Sequence, residues 1–424
     1  MRDPCLLLKS DSLLKLLASA LLAMLMAGCG GGGGGSNSSS GTSAPAQSLT
    51  NISPAPQALA SNAAAVTVDF GVIGVPNIPF VSVTLCMPGT THCQTIDHVQ
   101  VDTGSSGLRV FATQLPVSLG LPQQKDGAGN PLAECMQFFD GYTWGSVQLA
   151  DVRIAGEKAA SLPIQVIDPD YSATPSDCSS LGASRNTPTS LAANGILGIS
   201  VFKHDCGPVC VQDAVPATYY SCVGTSCTSI AVAEKLQVAN PIPYFATNNN
   251  GSILMLPAAS SSSEASLSGQ LVFGIGTQSN NSLGSAQVIG VSPSTGTFRT
   301  VQNGTTYSRS VMDSGSTGLF FQTSALPICA TPNNWFYCPA STQQLSAMIE
   351  GVNGVTSAVS FSVGNAAEIR LIHAGDPVMP LLAGPAFVTP TMFVWGLPFF
   401  YGRNIYAAVE QQSTPGGKGP YIAY

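Results

Sequence analysis

The chain carries the same ten-residue pattern twice. Val99-Gln100-Val101-Asp102-Thr103-Gly104-Ser105-Ser106-Gly107-Leu108 and Ser310-Val311-Met312-Asp313-Ser314-Gly315-Ser316-Thr317-Gly318-Leu319 each run from a largely apolar stretch into Asp, a hydroxyl residue, Gly, two more hydroxyl residues, Gly and Leu. The two aspartates stand 211 positions apart, so the repeat constrains the whole chain: it predicts two related halves, each delivering one carboxylate to a shared site. A buried strand carries the Asp, and the neighbouring Gly lets the backbone turn sharply and approach its partner. Adjacent hydroxyls can fix the carboxylate rotamers by hydrogen bonding. Two carboxylates held face to face do not both ionise easily, so one keeps a proton while the other is charged. Such a pair can take a proton from water and give one to a carbonyl.

The paired Asp102-Thr103-Gly104-Ser105-Ser106 and Asp313-Ser314-Gly315-Ser316-Thr317 resemble the active-site signature of the pepsin-like aspartic peptidases, and the resemblance extends from about Val66 onward. It implies an all-β, bilobal fold with two related β-barrel-like lobes and a central cleft. Asp102 and Asp313 would be catalytic, supported by Thr103, Gly104, Ser105, Ser314, Gly315 and Ser316. Ser314 stands where Thr is usual, keeping the hydroxyl. Thr103 and Ser314 would therefore interlock with the backbone of the opposite lobe, and Ser105 and Ser316 would hydrogen-bond the catalytic carboxyls.

Phe138 to Val147, followed by Leu149 to Gly156, reads as a β-hairpin. In the pepsin-like family a hairpin at this place is the flap over the cleft. On that resemblance Tyr142, Thr143, Trp144 and Gly145 line the flap, with Tyr142 closing over substrate. Asn194-Gly195-Ile196-Leu197-Gly198-Ile199 and Phe393-Val394-Trp395-Gly396 resemble the two apolar, apolar, glycine elements that back the catalytic loops. Leu397 occupies a position where the family usually has an acidic residue.

The first residues read as an export signal. Arg2, Lys9 and Lys15 precede the apolar run Leu16 to Met26, too short to span a bilayer, and Ala27-Gly28-Cys29 follows. This resembles a bacterial lipobox, which makes Cys29 the lipidated first residue of the mature chain, although Met26 replaces the preferred Leu. An ordinary secretory signal is the alternative. Gly30 is not the Asp of an inner-membrane retention signal, so the expected home is the cell envelope, lipid-anchored in the outer membrane where there is one, facing the periplasm or the surface. The Gly-, Ser- and Pro-rich stretch that follows is expected to be a flexible tether. It has no Lys or Arg from Gly30 to Ala64, unlike the basic propeptide usual in pepsin-like zymogens. The expected organisation is a signal over 1–28, a tether over 29–63, a first lobe with Asp102 and the flap over 64–256, and a second lobe with Asp313 over 257–424.

Charged residues make up only 9% of 424, against roughly 25% in ordinary soluble proteins, and a surface solvated by hydroxyls and amides suits export. The net charge of −7 with no basic stripe gives no reason to expect nucleic acid. Of 12 cysteines, Cys5 falls in the signal and Cys29 would carry lipid; the remainder suit disulfides in an oxidising compartment. Cys86 with Cys93 and Cys329 with Cys338 are close pairs, and Cys135 with Cys178 pair by elimination. Cys206, Cys210, Cys222 and Cys227 could form two bridges, local or crossed, or bind zinc, although Cys-x-x-Cys spacing is absent. His92, His98, His204 and His373 show no ligand spacing, and Gly274-Ile275-Gly276 reads as a turn because no helix or Lys follows as a phosphate cradle needs. No metal or cofactor is expected.

The resemblance implies an exported, membrane-tethered endopeptidase using an activated water, most active in acid. Its expected partners are a polypeptide substrate and, through the N-terminal lipid, a membrane; the chain is expected to act as a monomer. Two other classes fit the sequence: a catalytically silent binding or inhibitor protein on the same fold, which would usually lose one Asp or its hydroxyl neighbours, and a structural surface lipoprotein.

Overall fold

Stretches rich in β-branched and aromatic residues with few charges bury well when paired as strands. Strands dominate the described residues, 59–259, 262–386 and 388–424, of a computed structural model. The export signal and Cys29 lie outside the described residues, and so does most of the tether. No helix among the described residues is long and apolar enough to cross a membrane.

The first strands are β1 (Ala63–Val68), β2 (Pro79–Cys86), β3 (Cys93–Asp102), β4 (Ser106–Phe111), β5 (Leu132–Phe138), β6 (Gly141–Ile154), β7 (Glu157–Ile167) and β8 (Gly195–Ile199). Next come β9 (Tyr219–Val223), β10 (Ser226–Ser229), β11 (Gly251–Leu256), β12 (Leu267–Phe273), β13 (Val288–Gly290), β14 (Phe298–Gln302), β15 (Thr305–Met312) and β16 (Leu319–Phe321). The last named are β17 (Gln343–Glu350), β18 (Thr356–Val363), β19 (Ala383–Gly384), β20 (Met392–Trp395) and β21 (Arg403–Ala408).

One sheet runs β10-β9-β5-β6-β7-β4-β8-β3-β2-β1-β12-β11-β21 and ends with Tyr421–Ala423 and β13. An additional β6 to β2 pairing closes part of it into a barrel-like turn. A second sheet runs β18-β17-β14-β15-β20-β16-β19. The sequence repeat is also a repeat of topology. β3 pairs in parallel with β8, β8 antiparallel with β4, and β4 in parallel with β7; β15, β20, β16 and β19 repeat that order and those directions. Through the expected boundary at 256/257 the first sheet is continuous, because β11 pairs with β12 and β12 with β1.

The two repeats fill their interiors differently. Val99, Val101, Leu108, Val110, Leu197 and Ile199 are fully buried aliphatics around Asp102. Beneath Asp313 the filling is aromatic: Phe393 stacks on Phe321 at 4.7 Å and on Trp395 at 4.2 Å between ring centroids. Burying each such side chain contributes about 1.5–3 kcal/mol, so both strands are held rigidly where they deliver their aspartates.

Five disulfides join Cys86 to Cys93, Cys135 to Cys178, Cys206 to Cys210, Cys222 to Cys227 and Cys329 to Cys338. The four clustered cysteines thus pair locally, and their sulfurs are not available as zinc ligands. Between β10 and β11 the chain makes one tight turn, Glu234–Leu236, and the buried Gln237 amide that follows bonds Gly207 and Val232.

Candidate active site

β3 ends at Asp102 and β15 one residue before Asp313, and the glycines that follow decide how close the carboxyls come. A Cβ added at Gly104 would stand 2.7 Å from Asp313 Oδ1 and 3.2 Å from Asp102 Oδ1; one added at Gly315 would stand 2.8 Å from Asp102 Oδ1 and 3.0 Å from Asp313 Oδ1. Both inner oxygens therefore crowd onto the same pair of glycines, and no other residue fits there. The Gly104 amide donates to Asp102 Oδ1 at 2.7 Å and the Gly315 amide to Asp313 Oδ1 at 2.8 Å. Ser105 Oγ donates to Asp102 Oδ2 at 2.5 Å and Ser316 Oγ to Asp313 Oδ2 at 2.6 Å. Each carboxyl is thus fixed at both oxygens by its own loop, and the two loops are near mirror copies in their bonding.

The loops also grip each other. Thr103 Oγ1 donates to Met312 O at 2.9 Å and accepts from the Ser314 amide at 2.9 Å; Ser314 Oγ donates to Val101 O at 2.7 Å and accepts from the Thr103 amide at 3.1 Å. Behind them, Gly198 lies opposite Asp102 in the β3/β8 pair, and the Asp313 amide donates to Trp395 O. The Leu397 amide donates to Ser316 O as the Ser200 amide does to Ser105 O, so the unusual Leu397 serves the backbone and needs no acidic side chain for it.

Asp102 and Asp313 are 7% and 6% exposed. Burial pushes the Asp313 carboxyl up to about 8, with the Asp102 carboxylate, close enough to share a hydrogen bond, pushing the same way and Ser316 opposing. A proton therefore stays on Asp313 through neutral pH. The arrangement can polarise a carbonyl from the protonated side while the charged side accepts a proton.

The expected flap residues lie along a strand of the hairpin, away from its turn. The hairpin differs from the expected one: the stretches Phe138 to Val147 and Leu149 to Gly156 run mostly along the one strand β6, whose hairpin partner is β5, with Phe138 opposite Gly141, so the turn is Phe139-Asp140 and Tyr142 to Gly145 lie within the outgoing strand. Tyr142 and Trp144 sit in an apolar cluster with Cys135, Cys178 and Tyr220, Trp144 Nε1 donates to Ser172 O, and Thr143 Oγ1 donates to Gln165 Oε1. Gly145 makes no turn: a Cβ there would stand 2.0 Å from Val166 O, so it allows the β6/β7 approach. Phe139, at the tip, is 43% exposed.

Two further residues tie the halves together at the site. Gln100 Nε2 donates to Gly315 O at 3.0 Å, across the repeat. Asn77, fully buried, donates to Thr317 O and Met379 O, both at 2.7 Å, and accepts from Tyr401 Oη and the Met379 amide. Their signal in the sequence is only an amide side chain beside apolar residues, and Gln100 has no counterpart in the other repeat, where Val311 stands in its place.

The chain belongs to the family described as protein of unknown function (DUF3443), whose profile matches residues 58–424. No curated protein matches the chain.

Proposed function

We propose that this chain is an aspartic endopeptidase on a bilobal, pepsin-like fold, hydrolysing peptide bonds with Asp102, Asp313 and one water. The observation that carries the reading is the pair of carboxyls crowded onto Gly104 and Gly315, each fixed at both oxygens, within a four-strand unit that occurs twice. A merely structural pair of turns has no use for two buried carboxyls held so close, since their repulsion costs stability.

In the proposed reaction water oxygen attacks the peptide carbonyl carbon. Asp102 takes the proton that water releases, and Asp313 gives its own to the carbonyl oxygen, forming a neutral tetrahedral gem-diol. Breakdown reverses the roles: Asp102 returns its proton to the leaving nitrogen, the carbon–nitrogen bond breaks, and Asp313 regains a proton from a gem-diol hydroxyl. No group beyond the dyad and its water is required for proton balance. Because Asp313 keeps its proton up to about 8, the working range extends from acid through neutral pH instead of being confined to acid.

The β5–β6 hairpin is the flap of this reading, with its exposed tip at Phe139 as the substrate-facing part and Tyr142, Thr143, Trp144 and Gly145 as its brace. Export belongs to the same proposal, supported by the five disulfides, and lipid anchoring at Cys29 is proposed from the sequence alone. Casein digestion across pH, with a pepstatin-type inhibitor and the Asp313→Asn variant alongside, tests the activity: inhibitable cleavage by the wild type and none by the variant is expected, and cleavage indifferent to both overturns it.

A further inference from the structure

A second group of ionisable side chains lies wholly buried behind the loop that carries Asp102. Arg109, in the middle of β4, is fully buried, and Glu134 on β5 is 1% exposed. Arg109 Nη2 donates to Glu134 Oε1 at 2.6 Å and to Asp205 Oδ2 at 3.2 Å. Its Nη1 turns back to the loop and donates to Ser106 O at 2.8 Å and Gly107 O at 3.3 Å. One cation thus holds two carbonyls immediately after Ser105, the residue that fixes Asp102.

The charge count shows what else is buried. Asp205 accepts from Tyr219 Oη at 2.7 and 2.8 Å and from the Cys206 amide at 2.8 Å, donors that suit a carboxylate. Glu134 Oε2 has no donor facing it among the described residues, while the Asp205 carboxylate lies within hydrogen-bonding reach of the Glu134 carboxyl. With both carboxyls ionised, the cluster would hold a net negative charge away from water, which is costly. With a proton on Glu134, the cluster is neutral and the two carboxyls can share that proton as a hydrogen bond. Burial first, and Asp205 second, push the Glu134 carboxyl well up against the opposing Arg109. The groups facing Glu134 are Arg109 from β4, Asp205 from the segment after β8 and Tyr219 from β9, and His204 adds its field at Asp205. β6 presents Gly145 and β7 the neutral Gln165, whose Nε2 donates to Glu134 O.

We propose that Arg109, Glu134 and Asp205 form a positioning unit, neutralised by one buried proton, that holds the Asp102 loop in its working geometry. The same unit reaches the hairpin, because Gln165 joins the Glu134 backbone to the Thr143 hydroxyl. Loop and hairpin are therefore braced from one buried point. This inference rests on the endopeptidase reading for its effect on turnover, whereas the buried proton stands without it.

The test uses the full chain. A carboxylic acid at Glu134 stabilises the fold at low pH, and that contribution is lost as pH rises through its elevated folded-state value. Glu134→Gln keeps the shape and cannot ionise, so its melting temperature should fall less between pH 6 and pH 9 than that of the wild type, by about 2–4 °C. Equal falls overturn the buried proton, whether or not the protein cleaves casein. For positioning, kcat is measured per site titrated with a pepstatin-type inhibitor in Arg109→Met and Arg109→Lys. Loss of about 10–100-fold in kcat per titrated site with KM little changed is expected for Arg109→Met, and Arg109→Lys, a point charge without the fork, should recover folding more than turnover. A purely structural role would lower the number of titrated sites and leave kcat per site unchanged, which overturns the positioning role. A wild type that binds no inhibitor and cleaves nothing sinks the endopeptidase reading itself and leaves the melting comparison to decide the proton.

Discussion

Thr103 and Ser314 each accept a hydrogen bond from the other's backbone amide and donate one to the carbonyl of the residue before the other's aspartate. This reciprocal lock is what turns two distant loops into one site. Loss of either hydroxyl leaves buried backbone groups without partners, which costs about 1–3 kcal/mol each. Ser314→Ala takes the partner from two such groups, Val101 O and the Thr103 amide, and should therefore lower the unfolding free energy by about 2–6 kcal/mol in urea titration, while Ser314→Thr, restoring a hydroxyl, should recover most of it. An unchanged midpoint in Ser314→Ala would show the lock to be idle.

Gly104 and Gly315 give a sharper separation of activity from stability. A methyl at Gly104 meets Asp313 Oδ1 and Cγ at 2.7 and 2.8 Å, so Gly104→Ala must push the carboxyls apart. Cleavage should fall by about 100-fold or more, together with pepstatin-type inhibitor binding, while far-ultraviolet circular dichroism keeps its strand signature. Retention of both activities would mean that the carboxyls work independently.

Asp313 makes a prediction about pH. Its folded-state value is raised from 3.8 to about 8, by burial and then by Asp102, so the folded protein holds an extra proton between those values. Stability should decline as pH rises through that window and level off above it. Asp313→Asn, which cannot ionise, should flatten this part of the curve, and wild-type turnover should fall as pH passes about 8. A wild-type rate that climbs through that range is incompatible with a proton on the dyad.

Gln100 is expected to matter although it touches neither carboxyl. Gln100→Leu removes the donor to Gly315 O and leaves that carbonyl in a largely buried place, so stability should drop by about 1–3 kcal/mol, read by denaturant titration. Val311→Ala at the corresponding place in the second repeat has no cross-repeat bond to lose and should cost only packing. Equal, small effects would remove Gln100 from the joint.

Anchoring has a simple readout. Cys29→Ser should release the protein from the membrane fraction and abolish incorporation of labelled palmitate. Membrane retention in the variant would leave the lipidation reading without support.

Much of the site was legible because its determinants are local. Asp-hydroxyl-Gly-Ser needs only its own loop to bond each carboxyl, and β3, β15 and the two apolar, apolar, glycine elements show in the alternation and in the glycines. Close cysteine pairs were legible for the same reason, since Cys86 and Cys93 stand seven positions apart and Cys329 and Cys338 nine. What escaped depends on distant partners. Nothing around Asn77 announces Thr317 or Tyr401, and Arg109 within an apolar strand signals a buried cation without indicating Glu134 or Asp205. The hairpin's turn was not placed, because the glycine at 145 that allows close strand approach looks the same in sequence as one that makes a turn, whereas the turn falls at Phe139-Asp140.

The most direct measurement of the central claim is the initial rate of casein cleavage by Asp102→Asn beside the wild type in mildly acidic buffer, each normalised to folded protein. The account predicts a loss of at least about 100-fold, the lower end of what a positioned acid–base group supplies. Equal rates in the two proteins would contradict it.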